Sequence, residues 1–227
     1  MKYMLDSGNL ADVKHCNEFY PLAGVTTNPT LVAKEKMEFW ELVKEIRNII
    51  GPDKMLHVQT VQTEAEKIVE EAKLLKYQVG GNFFVKIPIS EEGLKAVMML
   101  KEEDIGVTVT AIFTPAQALL AATAGADFVA PYVNRFDNVV GDGARVVEEI
   151  VQEFDRYGMN CQVLAASFKN VEQIHKCALS GCHAVTISAD LFKNTLSHPM
   201  TDVAVAGFEK DWDSLYGDQT ILDFEIK

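Results

Sequence analysis

Lys86 stands in NFFVKIPI (82–89), a single lysine among Phe, Val and Ile. In so apolar a run an ammonium group is expensive to desolvate unless something pairs with it or uses it. The residues alone leave two readings open. Either the side chain turns its ammonium to solvent from a buried stem, or pairs with a carboxylate such as Asp6; or burial favours the free amine, which attacks a carbonyl and forms a Schiff base. Asp6 suits the second chemistry as well, because imine formation and carbon–carbon cleavage both need a proton relay near the nitrogen.

Other polar groups recur where short apolar runs end. They are Thr26 and Asn28, then Gln59, Thr110, Tyr132 with Arg135, and Ser167 with Lys169. A lone Thr or Asn in such a place is ordinary turn chemistry. Their convergence, one polar or ionisable group per run, is what points to a site. Arg135, Ser167 and Lys169 together offer two cations and a hydroxyl, a set suited to phosphate. The alternative for the two cations is a surface salt bridge to one of the many acidic side chains. His57 shares a face with Gln59 by period-two alternation, and a neutral, hydrogen-bonded core histidine is expected there. The CALSGC stretch (177–182) is expected to close a helix rather than bind a metal.

The runs that carry these residues are KYMLD (2–6), AGVTT (23–27), KMLHVQTV (54–61), NFFVKIPI (82–89), GVTVTAIF (106–113), ADFVAPYV (126–133), CQVLAAS (161–167) and HAVTIS (183–188). Their β-branched and aromatic content predicts eight strands. Between them, stretches such as TEAEKIVEEAKLLKYQ and SEEGLKAVMMLKEED repeat their apolar residues at helical spacing. Thr63 with Glu66 and Thr114 with Gln117 fit capping boxes, Pro115 fits a first helical position, and Ser90 fits an N-cap. Eight such units predict an α/β fold, a (β/α)8 TIM barrel, whose chemistry sits at the C-terminal ends of the strands. No linker or composition shift divides the chain, so residues 1–227 are read as one domain. A short helix near 189–197 and a longer C-terminal helix, within 200–220, lie outside the pattern. Phe208, Trp212 and Leu215 are spaced to share a face of the latter, which then needs a surface to pack on.

Composition narrows the partners. The 227 residues are 48% hydrophobic, enough for a sizeable core, and carry a formal net charge of -12. That charge repels nucleic acid and anionic membranes, so an anionic substrate would need local cations. Four cysteines and five histidines show no zinc spacing, and no apolar run approaches the ~18 residues of a membrane span. No secretory segment is evident at the N-terminus, and the thiols are read as free in a reducing cytoplasm.

PLAGVTTNPT (21–30), VKIPI (85–89), APYVNR (130–135) and LAASFK (164–169) together resemble the small transaldolase family, which includes the fructose-6-phosphate aldolases. The resemblance covers nearly the whole chain. It implies a (β/α)8 barrel and class I aldolase chemistry, with Lys86 as the Schiff-base lysine of the fourth strand. It further implies that Asp6 is the acid beside the imine, that Thr26 and Asn28 orient donor hydroxyls, that Thr110 helps hold a catalytic water, and that Arg135, Ser167 and Lys169 bind the acceptor's phosphate. Transaldolases of the family tend to carry Glu in place of Gln59 and Phe in place of Tyr132, so both positions take the aldolase form here. A glutamine can orient water but cannot exchange its proton, which passes the proton duty to Tyr132. The substrate implied is a sugar phosphate, fructose 6-phosphate, formed from dihydroxyacetone and glyceraldehyde 3-phosphate, with no metal or organic cofactor. The nearest alternative is a transaldolase of the pentose phosphate pathway; a phosphate-binding isomerase and a catalytically silent barrel are the others. Val and Gln in HVQTVQ, Ser7 after the Asp, and the acidic tail ILDFEIK depart mildly from the family pattern and leave substrate preference open. The family also implies a ring-like homo-oligomer, commonly a decamer, with the C-terminal helix on a neighbouring subunit.

Overall fold

All eight apolar runs fold as parallel strands: β1 Lys2–Asp6, β2 Leu22–Thr26, β3 Met55–Gln59, β4 Phe83–Pro88, β5 Gly106–Ile112, β6 Phe128–Pro131, β7 Gln162–Ala165 and β8 Ala184–Ile187. They pair in chain order, and β1 pairs with β8 to close a barrel. The computed structural model describes residues 1–226. Around the strands run α1 Leu10–Phe19, α2 Pro29–Glu35, α3 Phe39–Ile50, α4 Ala65–Val79, α5 Glu91–Leu100, α6 Pro115–Ala124, α7 Val133–Asp137, α8 Gly143–Tyr157, α9 Val171–Leu179 and α10 Ala189–Leu196, with α11 Pro199–Tyr216 at the end. The (β/α)8 expectation is met. The chain divides into two compact units, one of Met1–Phe192 and a second from Lys193 onward.

Local chemistry starts the helices promptly. Asn9, Asn28, Ser90, Thr114, Asp142 and Asn170 each accept a backbone N–H from the first turn that follows, and Pro29 and Pro115 occupy first-turn positions. Two expected caps differ. Thr63 forms no capping box: α4 begins at Ala65, whose N–H donates to Glu92 of α5 at 2.8 Å, while Val61 and Gln62 donate to Glu71. The Glu92 carboxylate, from the first turn of α5, takes the Ala65 donor that a threonine hydroxyl would have served. Thr114 does cap Gln117, but the Gln117 side chain returns to the N–H of Phe113, one residue before the cap. CALSGC closes α9 as expected, with Gly181 at a φ of 81° and Cys182 N–H bonded to the Cys177 carbonyl. All four cysteines are free and buried, and burial pushes the thiols of Cys16 and Cys182 up to about 11.

Inside the barrel the period-two alternation builds a polar layer on an apolar floor. Met4 precedes Asp6 by two residues, Gly24 precedes Thr26, Met55 precedes His57, Phe84 precedes Lys86, and Ala184 precedes Thr186. Met4, Met55, Phe128, Leu164 and Ala184 form one buried cluster, with Phe84 packed against it. Gly24 is required there: a Cβ would lie 2.2 Å from the Met55 carbonyl oxygen. Above this floor His57 is fully buried, stacked on Phe84 with ring centroids 4.6 Å apart and edge-on to Phe128. Its Nδ1 lies 2.8 Å from Thr108 Oγ1, and its Nε2 has no partner. Burial and the nearby Lys86 charge push its pKa down to about 3, so it is the neutral core histidine expected.

In the second unit α11 is capped by His198, and Trp212 packs on Tyr216 and Phe224 while donating to the Gln219 carbonyl. Phe208 and Leu215 stay exposed, at 72% and 73%. No described helix is long and apolar enough to cross a membrane.

His57 sets an acid limit on the fold. With a folded pKa near 3 against 6.5 unfolded, the unfolded chain binds more protons between those values, so stability is lost as pH falls through that window. The slope is about 1.4 kcal/mol per pH unit. Denaturant midpoints from pH 7 to pH 4 should therefore fall less steeply for His57→Phe than for the parent; parallel curves would refute a neutral buried His57.

Candidate active site

Lys86 lies on β4 between Gln59 of β3 and Thr108 of β5, its partners in the strand register. It is 4% exposed, and its Nζ donates to the Thr27 carbonyl at 3.2 Å. The amine is therefore not turned out to solvent. Nor is it ion-paired with Asp6, whose carboxylate instead accepts from Thr26 Oγ1 at 2.7 Å. Thr26 Oγ1 also lies 2.7 Å from Thr186 Oγ1. A hydroxyl has one proton to give, so while Thr26 donates to Asp6, Thr186 must donate to Thr26. This relay anchors the carboxylate at the end of β1, and among the described residues the lysine nitrogen has one protein partner. An amine so placed keeps its remaining bonding capacity for a ligand.

The second group forms where β5 bulges. Ala111 takes a φ of 59° at the register shift between Thr110 and Ile112. A non-glycine residue in that left-handed region costs about 1–2 kcal/mol, and bulges of this kind re-aim side chains at strand ends. Beyond it Tyr132 donates its N–H to the Ile112 carbonyl, and its phenol lies 3.2 Å from Thr110 Oγ1. Phe113 packs edge-on to the phenol ring and the Arg135 guanidinium lies 5.2 Å from its centroid. Gln59, half-buried at the end of β3, uses its side-chain amide for no protein hydrogen bond among the described residues. Asn28 is engaged as turn chemistry, its Oδ1 capping α2 at Leu31, which leaves its NH₂ to donate.

Arg135 and Lys169 are exposed, and the ion pairs of the chain involve neither of them. The surface salt bridge expected as their alternative is absent among the described residues. Ser167 takes a φ of 62°, and its carbonyl and that of Ala166 accept the N–H groups of Asn134 and Val133 at the start of α7. Backbone bonds thus stitch the segment carrying Arg135 to the segment carrying Ser167 and Lys169. Sequence reasoning missed Thr27, Thr108 and Thr186. Alternation within GVTVTAI and HAVTIS would have put Thr108 and Thr186 on the inner face, but nothing local marks the Thr27 carbonyl, a backbone group.

The chain matches the family described as Transaldolase/Fructose-6-phosphate aldolase over residues 3–219. It is 41% identical over 213 residues to a relative from Streptococcus pneumoniae (strain ATCC 700669 / Spain 23F-1) named probable fructose-6-phosphate aldolase, covering 93% of this chain and 96% of that one. Among solved structures it is similar to a mandelate oxidase, with TM-scores of 0.55 and 0.54, 13% identity and 80% of this chain covered. The chain spans 59% and 60% of those two structures, and at that identity the likeness speaks for the barrel alone. Family match, relative and barrel agree: this chain belongs to the transaldolase/fructose-6-phosphate aldolase family.

Proposed function

We propose that the protein is a Schiff-base aldolase that cleaves fructose 6-phosphate to dihydroxyacetone and glyceraldehyde 3-phosphate and catalyses the reverse addition. The observation that carries this is Lys86, a buried amine on the inner face of a closed barrel with one carbonyl partner and no carboxylate. The relative's name and the family match support the same substrate.

In this mechanism the Lys86 nitrogen adds to C2 of the ketose and water leaves, giving an iminium. The iminium draws the C3–C4 electron pair as the C4 hydroxyl loses its proton, so that bond breaks and the aldehyde forms. The enamine left on Lys86 takes a proton at C3, and water then releases dihydroxyacetone. The protonated imine is the electron sink, so the route requires no metal or organic cofactor. Tyr132 moves the C4 proton through a water held by Thr110 and Gln59, a role supported by the 3.2 Å contact of Tyr132 with Thr110 and by the uncommitted Gln59 amide. Asp6, fixed by Thr26, relays protons during imine formation, and Asn28 with Thr26 orients donor hydroxyls. Arg135, Ser167 and Lys169 take the phosphate. Transaldolase activity is the second reading, since the matched family holds both activities. Gln59 argues against it, because an amide cannot serve as the general acid and base.

As an enzyme of sugar-phosphate exchange, the protein is placed by this reading in the cytoplasm. Residues 1–227 act as one unit, with 200–220 reaching a neighbouring subunit of a homo-oligomer, a decamer by family resemblance. The exposed Phe208 and Leu215 support an oligomer.

Incubation with fructose 6-phosphate alone should release glyceraldehyde 3-phosphate and free dihydroxyacetone; product only after an aldose acceptor is added would assign the enzyme as a transaldolase. Borohydride in the presence of dihydroxyacetone should label Lys86, and Lys86→Met should lose activity by about 10³-fold or more. Unlabelled Lys86, or activity retained in the variant, would remove every imine mechanism. Tyr132→Phe should lower kcat by about 10²-fold or more while the borohydride label persists, separating proton transfer from imine formation.

A further inference from the structure

Gln173, on the first turn of α9, is 8% exposed, and its amide is fully engaged. Its Oε1 accepts the N–H of Lys169 at 2.8 Å. Its Nε2 donates to Asn134 Oδ1 at 3.2 Å and to Asp137 Oδ2 at 2.6 Å. Asn134 and Asp137 flank Arg135 on α7, so one buried amide joins the backbone of one exposed cation to the short helix that carries the other.

The backbone and the core hold the roots of the two segments, with Val133 and Phe168 buried in one cluster, and Gln173 adds the side-chain link among the described residues. The β6–β7 register pairs Phe128 with Gln162 and Val129 with Val163, and beyond it come the Tyr132–Ala166 bridge, made by Ala166 N–H to Pro131 and Val133 N–H to Ala166, and one further bond from Asn134 N–H to Ser167. Arg135 and Lys169 repel each other and have no acidic partner among the described residues to hold them. The nearest acid in sequence to Arg135 is Asp137, and both its oxygens are occupied: Oδ1 accepts the Gly143 N–H at 2.9 Å, and Oδ2 takes the Gln173 amide. Gln173 thereby does two things. It fixes α7 against the β7–α9 loop, and it occupies a carboxylate that would otherwise be free to compete for Arg135.

Resting on the phosphate reading of Arg135, Ser167 and Lys169 above, we propose that Gln173 is a positioning residue for the acceptor's phosphate, setting the preference for a phosphorylated over an unphosphorylated aldehyde. It touches no reacting atom and acts through Arg135 and Lys169. A role confined to holding the fold together would weaken every substrate alike. A role in the phosphate cradle weakens only the phosphorylated one.

The test is the ratio of kcat/KM for addition of dihydroxyacetone to glyceraldehyde 3-phosphate over that to glyceraldehyde, with the KM for dihydroxyacetone measured alongside. Gln173→Met keeps the length and removes the bonds, and Gln173→Glu sets a carboxylate against Asp137. Both should lower the ratio about tenfold, mainly through KM for the phosphorylated aldehyde, as expected for the loss of one charge-assisted hydrogen bond. Gln173→Glu combined with Asp137→Asn exchanges donor and acceptor at the 2.6 Å bond, keeps the bond from the Lys169 N–H, and is completed when the Asn134 amide turns over to donate its NH₂; it should restore the ratio. An unchanged ratio in both single variants, an equal loss with both aldehydes, or no recovery in the double variant would each overturn the proposal. Should the single variants fail to fold, the double variant decides alone, a retained ratio supporting the proposal and a lost one overturning it. Arg135→Ala separates the two levels of inference. If it leaves the ratio unchanged, the phosphate reading itself fails and takes the Gln173 role with it; if it collapses the ratio while the Gln173 variants do not, only the Gln173 role fails.

Discussion

The structure depends on holding an amine out of water without neutralising it by a neighbouring carboxylate. A lysine at 4% exposure pays a large desolvation cost, and most proteins offset it with an ion pair. Here the offset is one carbonyl, that of Thr27, and the Asp6 carboxylate at the end of β1 is held by the Thr186–Thr26–Asp6 relay. A closed barrel makes this feasible because every strand contributes an inner face to one small volume. The Asp6 carboxylate is therefore bonded to Thr26, while the Lys86 amine is bonded to the Thr27 carbonyl.

The same logic runs outward from that layer. Below it, aromatic rings and methionines exclude water, and His57 is neutral because burial and the nearby Lys86 charge disfavour its charged form. Above it, Ala111 and Ser167 adopt left-handed backbone at the ends of β5 and β7, where strain is tolerated because it sets the direction of functional segments. Around the mouth, an acidic protein keeps two cations free of acidic partners among the described residues. Free cations on a chain of net charge -12 are a local exception to its field, which is the condition for holding an anionic substrate.

Much of this was legible in residue order. The eight runs, Pro115, Ser90 and the CALSGC terminus all appear as expected, since strand alternation and helix capping are decided within a few residues. Lys86 announced itself by contrast with its neighbours. Thr63 misled because a capping box is also a local pattern, yet the first-turn N–H of Ala65 went to Glu92, a carboxylate of the next helix. Pairing of Lys86 with Asp6, one of the alternatives left open, failed for a similar reason: sequence supplies the two charges but not the distance between them.

What the sequence by itself determined is the alternation that makes a barrel, the chemical types at its strand ends and the motifs that name its family. Only the tertiary structure decided which of those groups bond. Thr26 and Thr186 meet across 160 residues of chain, Lys86 and Thr27 across 59, and Gln173 and Asp137 across 36. Such contacts follow from strand stagger, from a bulge at Ala111 and from the path of the β7–α9 loop. These are properties of the closed sheet as a whole, and no short stretch of sequence carries them, because hydrogen bonding depends on tenths of an ångström that are fixed only when all eight strands are in place.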